Sequence, residues 1–348
     1  MIPTWSACPR FGLGIVSAGS ILDRTSGAII NRGNKSSMCG IAGIIHRGNR
    51  SNVGGEMTSM LMALRHRGPD STGFAVYGPP STGDYVMRIK VAEREDMATG
   101  HDIKDKISER IAEVDRRIAL HGAAILQYDA ATVYALRYVI RPNGDMEEMA
   151  RHLEEIESVE ILSLGSGLEL IKDLGDANEV GDAYGLNDFS GTHAIGHTRM
   201  ATESDVDIRS AHPYWAFPYN DISVVHNGQI TNYWIMRREM ERKGHRFMSD
   251  CDSELLAVYT AHNLAHDISL EESLSRSVDE IDGVFTYLVA TKDQLGMAKD
   301  TMAAKPLVLY ESDDLIAMAS EEVAIRSILP QEIDTYDPYD EEVRVWQA

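Results

Sequence analysis

The chain has 348 residues, with 54 acidic against 33 basic side chains and a formal net charge of −21 at pH 7. So acidic a chain, with no basic stripe long enough to follow a phosphate backbone, excludes nucleic acid as an expected partner. Its three cysteines, Cys8, Cys39 and Cys251, have no C-x-x-C spacing and suit neither a disulfide framework nor a zinc site. No apolar run nears the roughly 18 residues of a bilayer span, so a cytoplasmic protein with reduced thiols and no membrane segment is expected.

Residues 1–37 show no sustained helix or strand period. FGLGIVSAGSIL (11–22) is broken by Gly and Ser, follows a single basic residue, Arg10, and lacks a convincing cleavage site, so a secretory signal is not expected. NRGNKSS before Met38 is loop chemistry. From Cys39 the pattern tightens: CGIAGIIH reads as a buried strand, GEMTSMLMALRHRG as a helix with Met57, Met60, Leu61 and Leu64 on one face, and TGFAVYG as a second strand. Between about 84 and 190 the texture changes to a charged helix (DIKDKISERIAEVDRR), a strand ATVYALRYVI, a helix MEEMARHLEEIES and a strand VEILSLG, predicting a small inserted α/β subdomain. Beyond it GTHAIGHTR and DISVVHNG read as strands and TNYWIMRREMERKG and DSELLAVYTAHNLA as helices. A run of short strands follows in GVFTYLVAT, LGMAK, PLVLYE and LIAMAS. Such a run implies antiparallel sheet, and an α+β fold with helices flanking stacked antiparallel sheets is predicted.

Gly40 and Gly43 in the first strand suggest a place where another group, such as a substrate, approaches the backbone. Cys39 itself has two readings, a buried strand residue packing as a small hydrophobe and a nucleophile. If Met38 starts translation, or processing cuts after it, Cys39 carries a thiol and a free α-amine on one carbon. An amine of ordinary pKa near 7.7–8.0 can take the thiol proton directly or through water.

Seven motifs in order bear on the choice: MCGIAGI (38–44), RHRGPDSTG (65–73), GHTRMAT (196–202), AHP (211–213), VVHNG (224–228), SDCDSE (249–254) and AAKPLVLYE with IAMASE (303–321). Together they resemble the class II glutamine amidotransferases, N-terminal-nucleophile hydrolases that begin with Cys-Gly and hydrolyse the side-chain amide of glutamine. The resemblance implies a four-layer αββα sandwich over 39–348, interrupted by the insertion at about 84–190, with 1–38 a propeptide or an over-long start. It implies Cys39 as nucleophile, with Asn227 and Gly228 as oxyanion donors. Arg199 matches the residue that holds the glutamine α-carboxylate, a role suited to a planar guanidinium, and Asp252 the one that binds the α-ammonium, with helix N-capping as a competing role. Arg67 resembles an arginine near the nucleophile, Pro69, Asp70 and Gly73 are expected to shape a turn, and Thr202 and His212 lie on a loop that folds over glutamine in the family.

Once the insertion is set aside, the remaining length suits a glutaminase domain alone, so the resemblance implies a separate synthase subunit as ammonia acceptor. The insertion and GHTRMATES look most like the stand-alone glutaminase subunits of split glutamate synthases and N-methylglutamate synthases. Flavin and iron–sulfur centres would then belong to the partner, and no cofactor or metal is expected in this chain, which has no cysteine cluster and no G-x-G-x-x-G after a strand. Two alternatives share parts of the pattern: a Cys-type N-terminal amidase acting on another amide, and a non-catalytic regulatory subunit with a blocked nucleophile.

Overall fold

A computed structural model describes residues 39–79, 82–93, 103–199, 208–209, 211–218 and 221–348. Residues 1–38, expected to be a propeptide or an over-long start, lie outside the described residues, Cys8 and Met38 among them.

The first sheet runs in the order β13 (Val308–Glu311), β14 (Leu315–Ala319), β1 (Gly40–His46), β8 (His193–Arg199), β2 (Ser71–Tyr77), β7 (Leu168–Leu174). The second runs β15 (Val343–Gln347), β12 (Gln294–Lys299), β11 (Gly283–Ala290), β10 (Ser223–Ile230), β9 (Tyr214–Trp215). Adjacent strands in both are antiparallel, as the run of short strands predicts. Helices α1 (Val53–Ala63), α4 (Ala177–Tyr184) and α8 (Glu322–Ile328) cover the outer face of the first sheet, and α6 (Asp252–Leu264) and α7 (Leu270–Glu280) that of the second, with α5 (Tyr233–Arg242) against α6. The result is the expected αββα sandwich. No helix among the described residues is long and apolar enough to cross a membrane.

Covering both faces explains why β1 is a continuous apolar run rather than an alternating one: Ile41, Ala42, Ile44 and Ile45 are all 0% exposed, each large aliphatic contributing about 1.5–3 kcal/mol by burial. The second sheet alternates between its two packing faces. Leu288, Ala290, Leu295 and Met297 join the core shared with the first sheet, while Phe285, Tyr287, Val289 and Ala298 pack toward α6 and α7. Gly40 and Gly43 serve this packing rather than a substrate. A Cβ on Gly43 would lie 2.9 Å from Leu288 Cδ1, and one on Gly40 would lie 3.0 Å from Thr198 and 3.2 Å from Leu64.

Within 84–190 two parts pack differently. A third sheet, β4 (Ala124–Ala130), β5 (Ala135–Arg141), β3 (Tyr85–Lys90), β6 (Glu160–Gly165), carries α2 (Ile103–Leu120) and α3 (Met146–Leu153). The charged helix α2 buries Ile107, Val114 and Ile118 on one stripe. Asp145 caps α3 by accepting from the backbone N–H groups of Glu147 and Glu148 at 2.9 and 3.1 Å. The other part, β7 and α4, belongs to the first sheet and its helix layer. The short turn from β6 to β7 is therefore the join between the third sheet and the sandwich, and Asp221 clamps it, accepting from the N–H groups of Ser166, Gly167 and Leu168 at 2.8–3.0 Å.

Candidate active site

Cys39 sits half-buried at the mouth of β1. Its carbonyl oxygen accepts from Asn227 Nδ2 at 2.9 Å and from Arg67 Nε at 3.1 Å. The same Asn227 amide donates to Ser320 Oγ at 3.2 Å, and Ser320 Oγ accepts from the Ile41 N–H at 3.0 Å. Arg67 is fixed by Glu321, whose Oε1 lies 2.5 Å from Arg67 Nη1. Burial pushes the Glu321 carboxyl up, but the hydrogen bonds from Arg67 and His66 outweigh it and hold the group below the usual carboxylate range. Strands β1, β10 and β14 thus meet around the backbone of one cysteine.

Cys39, Arg199, Asn227, Gly228, Asp252 and His212 line one cavity of about 410 Å³, together with His197, His226, Asp250, Cys251 and Ser253. Six sequence-predicted residues converge there. Arg67 is not in the lining and reaches the site only through the Cys39 carbonyl, and Thr202 lies outside the described residues.

Asp252 does not cap its helix. Cys251 occupies the N-cap position without a side-chain capping bond, and Asp252 is the first helical residue. The Asp252 carboxylate instead accepts from the Ile230 N–H at 2.9 Å and from Ser253 Oγ at 3.3 Å, which ties α6 to the end of β10. Gly73 likewise lies inside β2, not in a turn. A Cβ there would fall 1.9 Å from the His212 carbonyl oxygen, so a glycine is required for the 211–213 backbone to lie on the sheet.

Sequence reasoning missed two of the three lining histidines, His197 and His226, although both stand inside quoted motifs. The signal was available: a histidine in the middle of a buried strand is a polar group that needs a reason. The His197 and His212 rings stack at 4.1 Å, with His226 6.4 Å from His212. His226 Nδ1 pairs with Ser253 Oγ at 2.8 Å. When Ser253 donates to Asp252, His226 must donate from Nδ1, which leaves Nε2 as a bare acceptor. The Nε2 atoms of His197 and His226 and both ring nitrogens of His212 are buried without a hydrogen-bond partner among the described residues. Burial, reinforced by neighbouring positive charge, pushes His197 down to about 3 and His212 well below its ordinary value. Burial also takes His226 down to about 4 against the opposing pull of Asp252. All three are neutral at pH 7. Among the described residues no group of His, Cys, Asp and Glu is arranged to hold a metal. The charged lining residues are then Arg199, Asp250 and Asp252. That pattern complements a zwitterionic α-amino acid, beside a thiol and an amide donor.

A cysteine at the head of a doubly covered strand, an Arg and an Asp of opposite charge, and an Asn-Gly pair thus share one cavity on an αββα sandwich. Residues 197–327 match the glutamine amidotransferase domain family. A Methanothermobacter thermautotrophicus protein, provisionally named a glutamine amidotransferase, is 39% identical over 314 residues, 89% of this chain and 100% of that one. The glutamine amidotransferase-like protein GlxB of Rhizobium meliloti is 33% identical, over 89% of this chain and 95% of its own. The chain belongs to the glutamine amidotransferase family. Its fold is that of the N-terminal-nucleophile class: a Bacillus subtilis glutamine phosphoribosylpyrophosphate amidotransferase and an allosteric regulatory enzyme of purine biosynthesis superpose with TM-scores of 0.54 and 0.56. Identities are 16% and 17%, and the chain spans 47% and 46% of those proteins.

Proposed function

We propose that this chain is a glutaminase: it hydrolyses the side-chain amide of L-glutamine at Cys39 through a thioester, yielding glutamate and ammonia. The observation that carries the reading is the sharing of one cavity by Cys39, Arg199, Asn227, Gly228 and Asp252. The working chain begins at Cys39, so that its α-amine takes the thiol proton while the sulfur attacks the amide carbon. Arg199 holds the α-carboxylate as a bidentate partner and Asp252 the α-ammonium. The oxygen of the tetrahedral intermediate turns to Asn227 Nδ2 and the Gly228 N–H. Collapse passes the proton to the leaving nitrogen, ammonia departs, and water cleaves the thioester. Ammonia is consumed on a separate synthase subunit of the glutamate synthase or N-methylglutamate synthase type, which would hold any flavin and iron–sulfur centres. That assignment is supported by the resemblance of the insertion and GHTRMATES to the stand-alone glutaminase subunits.

The test is glutamine hydrolysis by the full chain as it matures on expression, with the N-terminus read by intact-mass measurement. Expected are a chain starting at Cys39, measurable glutamate release, and its abolition in Cys39→Ala. Full activity in protein that keeps residues 1–38 would refute the mechanism.

A further inference from the structure

The segment that carries His212 over the cavity is held by a buried amine from outside the quoted motifs. Lys172 on β7 is 5% exposed, and its Nζ donates to the carbonyl oxygens of Arg209 at 3.2 Å and Ala211 at 3.3 Å. Its register partner on β2 is Gly73, the glycine that leaves room for the His212 backbone. One strand pair therefore supplies both the space for the segment and the cation that pins it. A buried ammonium needs a counter-charge, and here it comes from the third sheet. Glu160 on β6 lies 3.8 Å from Lys172 Nζ, 3.8 Å from Arg209 Nε and 3.0 Å from Lys90 Nζ. Burial pushes the Glu160 carboxyl up, but Lys172, Lys90 and Arg209 outweigh it and keep the group ionised. Beside it the Ile161 carbonyl accepts from Trp215 Nε1 at 3.2 Å, so β6 grips the chain on both sides of His212.

We propose that Lys172 and Glu160 are positioning residues through which the inserted third sheet holds Arg209 and Ala211, seats His212 at the cavity and sets the affinity for glutamine. The inference rests on the glutaminase reading and adds to it a role for the insertion. Neither side chain lines the cavity with Cys39, so neither touches the reacting atoms. They act on where His212 stands, and with it the His197–His212 stack.

The experiment measures kcat and KM for glutamine in the full, matured chain, with the iodoacetamide alkylation rate of Cys39 as a readout independent of substrate binding. Lys172→Met removes both carbonyl contacts and is expected to raise KM about tenfold or more, with kcat and alkylation rate held within about threefold. Lys172→Arg restores donors and is expected to bring KM back to within about threefold of the wild type. A KM unmoved in Lys172→Met overturns the proposal, as does a loss shared equally between kcat, KM and alkylation that Lys172→Arg fails to rescue. If Lys172→Met does not fold, Glu160→Gln decides: a KM raised about threefold or more supports the seating, and an unchanged KM overturns it. A wild-type chain without glutaminase activity would instead sink the functional reading beneath both.

Discussion

Asn227 is the residue whose resting geometry makes the sharpest demand on the proposed chemistry. Its amide donates to the Cys39 carbonyl at 2.9 Å and to Ser320 Oγ at 3.2 Å, so both of its hydrogens are engaged before any substrate arrives. Replacement by Ala removes two neutral hydrogen bonds, each contributing about 1 kcal/mol. No buried group is orphaned by the change, because the Cys39 carbonyl keeps Arg67 Nε and Ser320 Oγ keeps the Ile41 N–H. The stability cost of Asn227→Ala is therefore about 2 kcal/mol or less, measurable as a shift of the urea midpoint at unchanged slope. The catalytic cost is larger if the same amide turns to the tetrahedral oxygen. Losing one such donor costs about 2.7–4 kcal/mol in the transition state, or roughly 10²–10³ in kcat. Because the donor would serve the transition state and not bound glutamine, KM should stay within about threefold. Steady-state glutamate release by Asn227→Ala and wild type, read beside their urea curves, separates the two costs. A kcat loss below about tenfold, or a loss carried mainly by KM, would refute the oxyanion role and leave Asn227 as a brace for the Cys39 backbone.

Two further outcomes follow from the same geometry. Burial holds His193 and His226 down to about 4 and His197 down to about 3, with His212 also lowered, so on unfolding each takes up a proton below its ordinary value near 6.5. Their contribution to stability is complete above that pH and is lost toward 4 as pH falls, up to about 1.4 kcal/mol per unit for each. Glu154 works in the opposite sense because burial raises it to about 7. The net expectation is an unfolding free energy at least about 2 kcal/mol lower at pH 5 than at pH 6 in urea titrations, and a flat profile would contradict it. Gly73→Ala places a Cβ 1.9 Å from the His212 carbonyl oxygen and 2.7 Å from Pro213 Cδ. It should cost about 1–3 kcal/mol in a melting or urea experiment and raise the glutamine KM, whereas a wild-type KM would mean that the His212 segment does not need its seat on β2.

What was legible in the sequence is what local chemistry and ordered motifs can carry. Strand-like CGIAGIIH, GHTR and VVHNG become β1, β8 and β10, and Cys39, Arg199, His212, Asn227, Gly228 and Asp252 come to one cavity. Residues that act through partners far along the chain were not legible. Ser320 meets Ile41 across 279 positions and Glu321 meets Arg67 across 254, and no periodicity registers a contact of that separation. Strand β4 escaped for a different reason: all seven of its residues are exposed, so as an edge strand of the third sheet it lacks the half-buried alternation by which strands are read. Lys172 and Glu160 fall between these cases. In the sequence each is a charged residue inside a strand, ELIKDL and EILSLG, where a solvent-facing position is the default expectation. They are buried because β6 and β7 belong to two different sheets that pack where the strands run side by side, and the charges meet between them. A strand pair that bridges two layers has no outward face at the bridge. A charge placed there must find its partners in the protein, and here Lys172 finds Glu160 and the backbone carbonyls of Arg209 and Ala211.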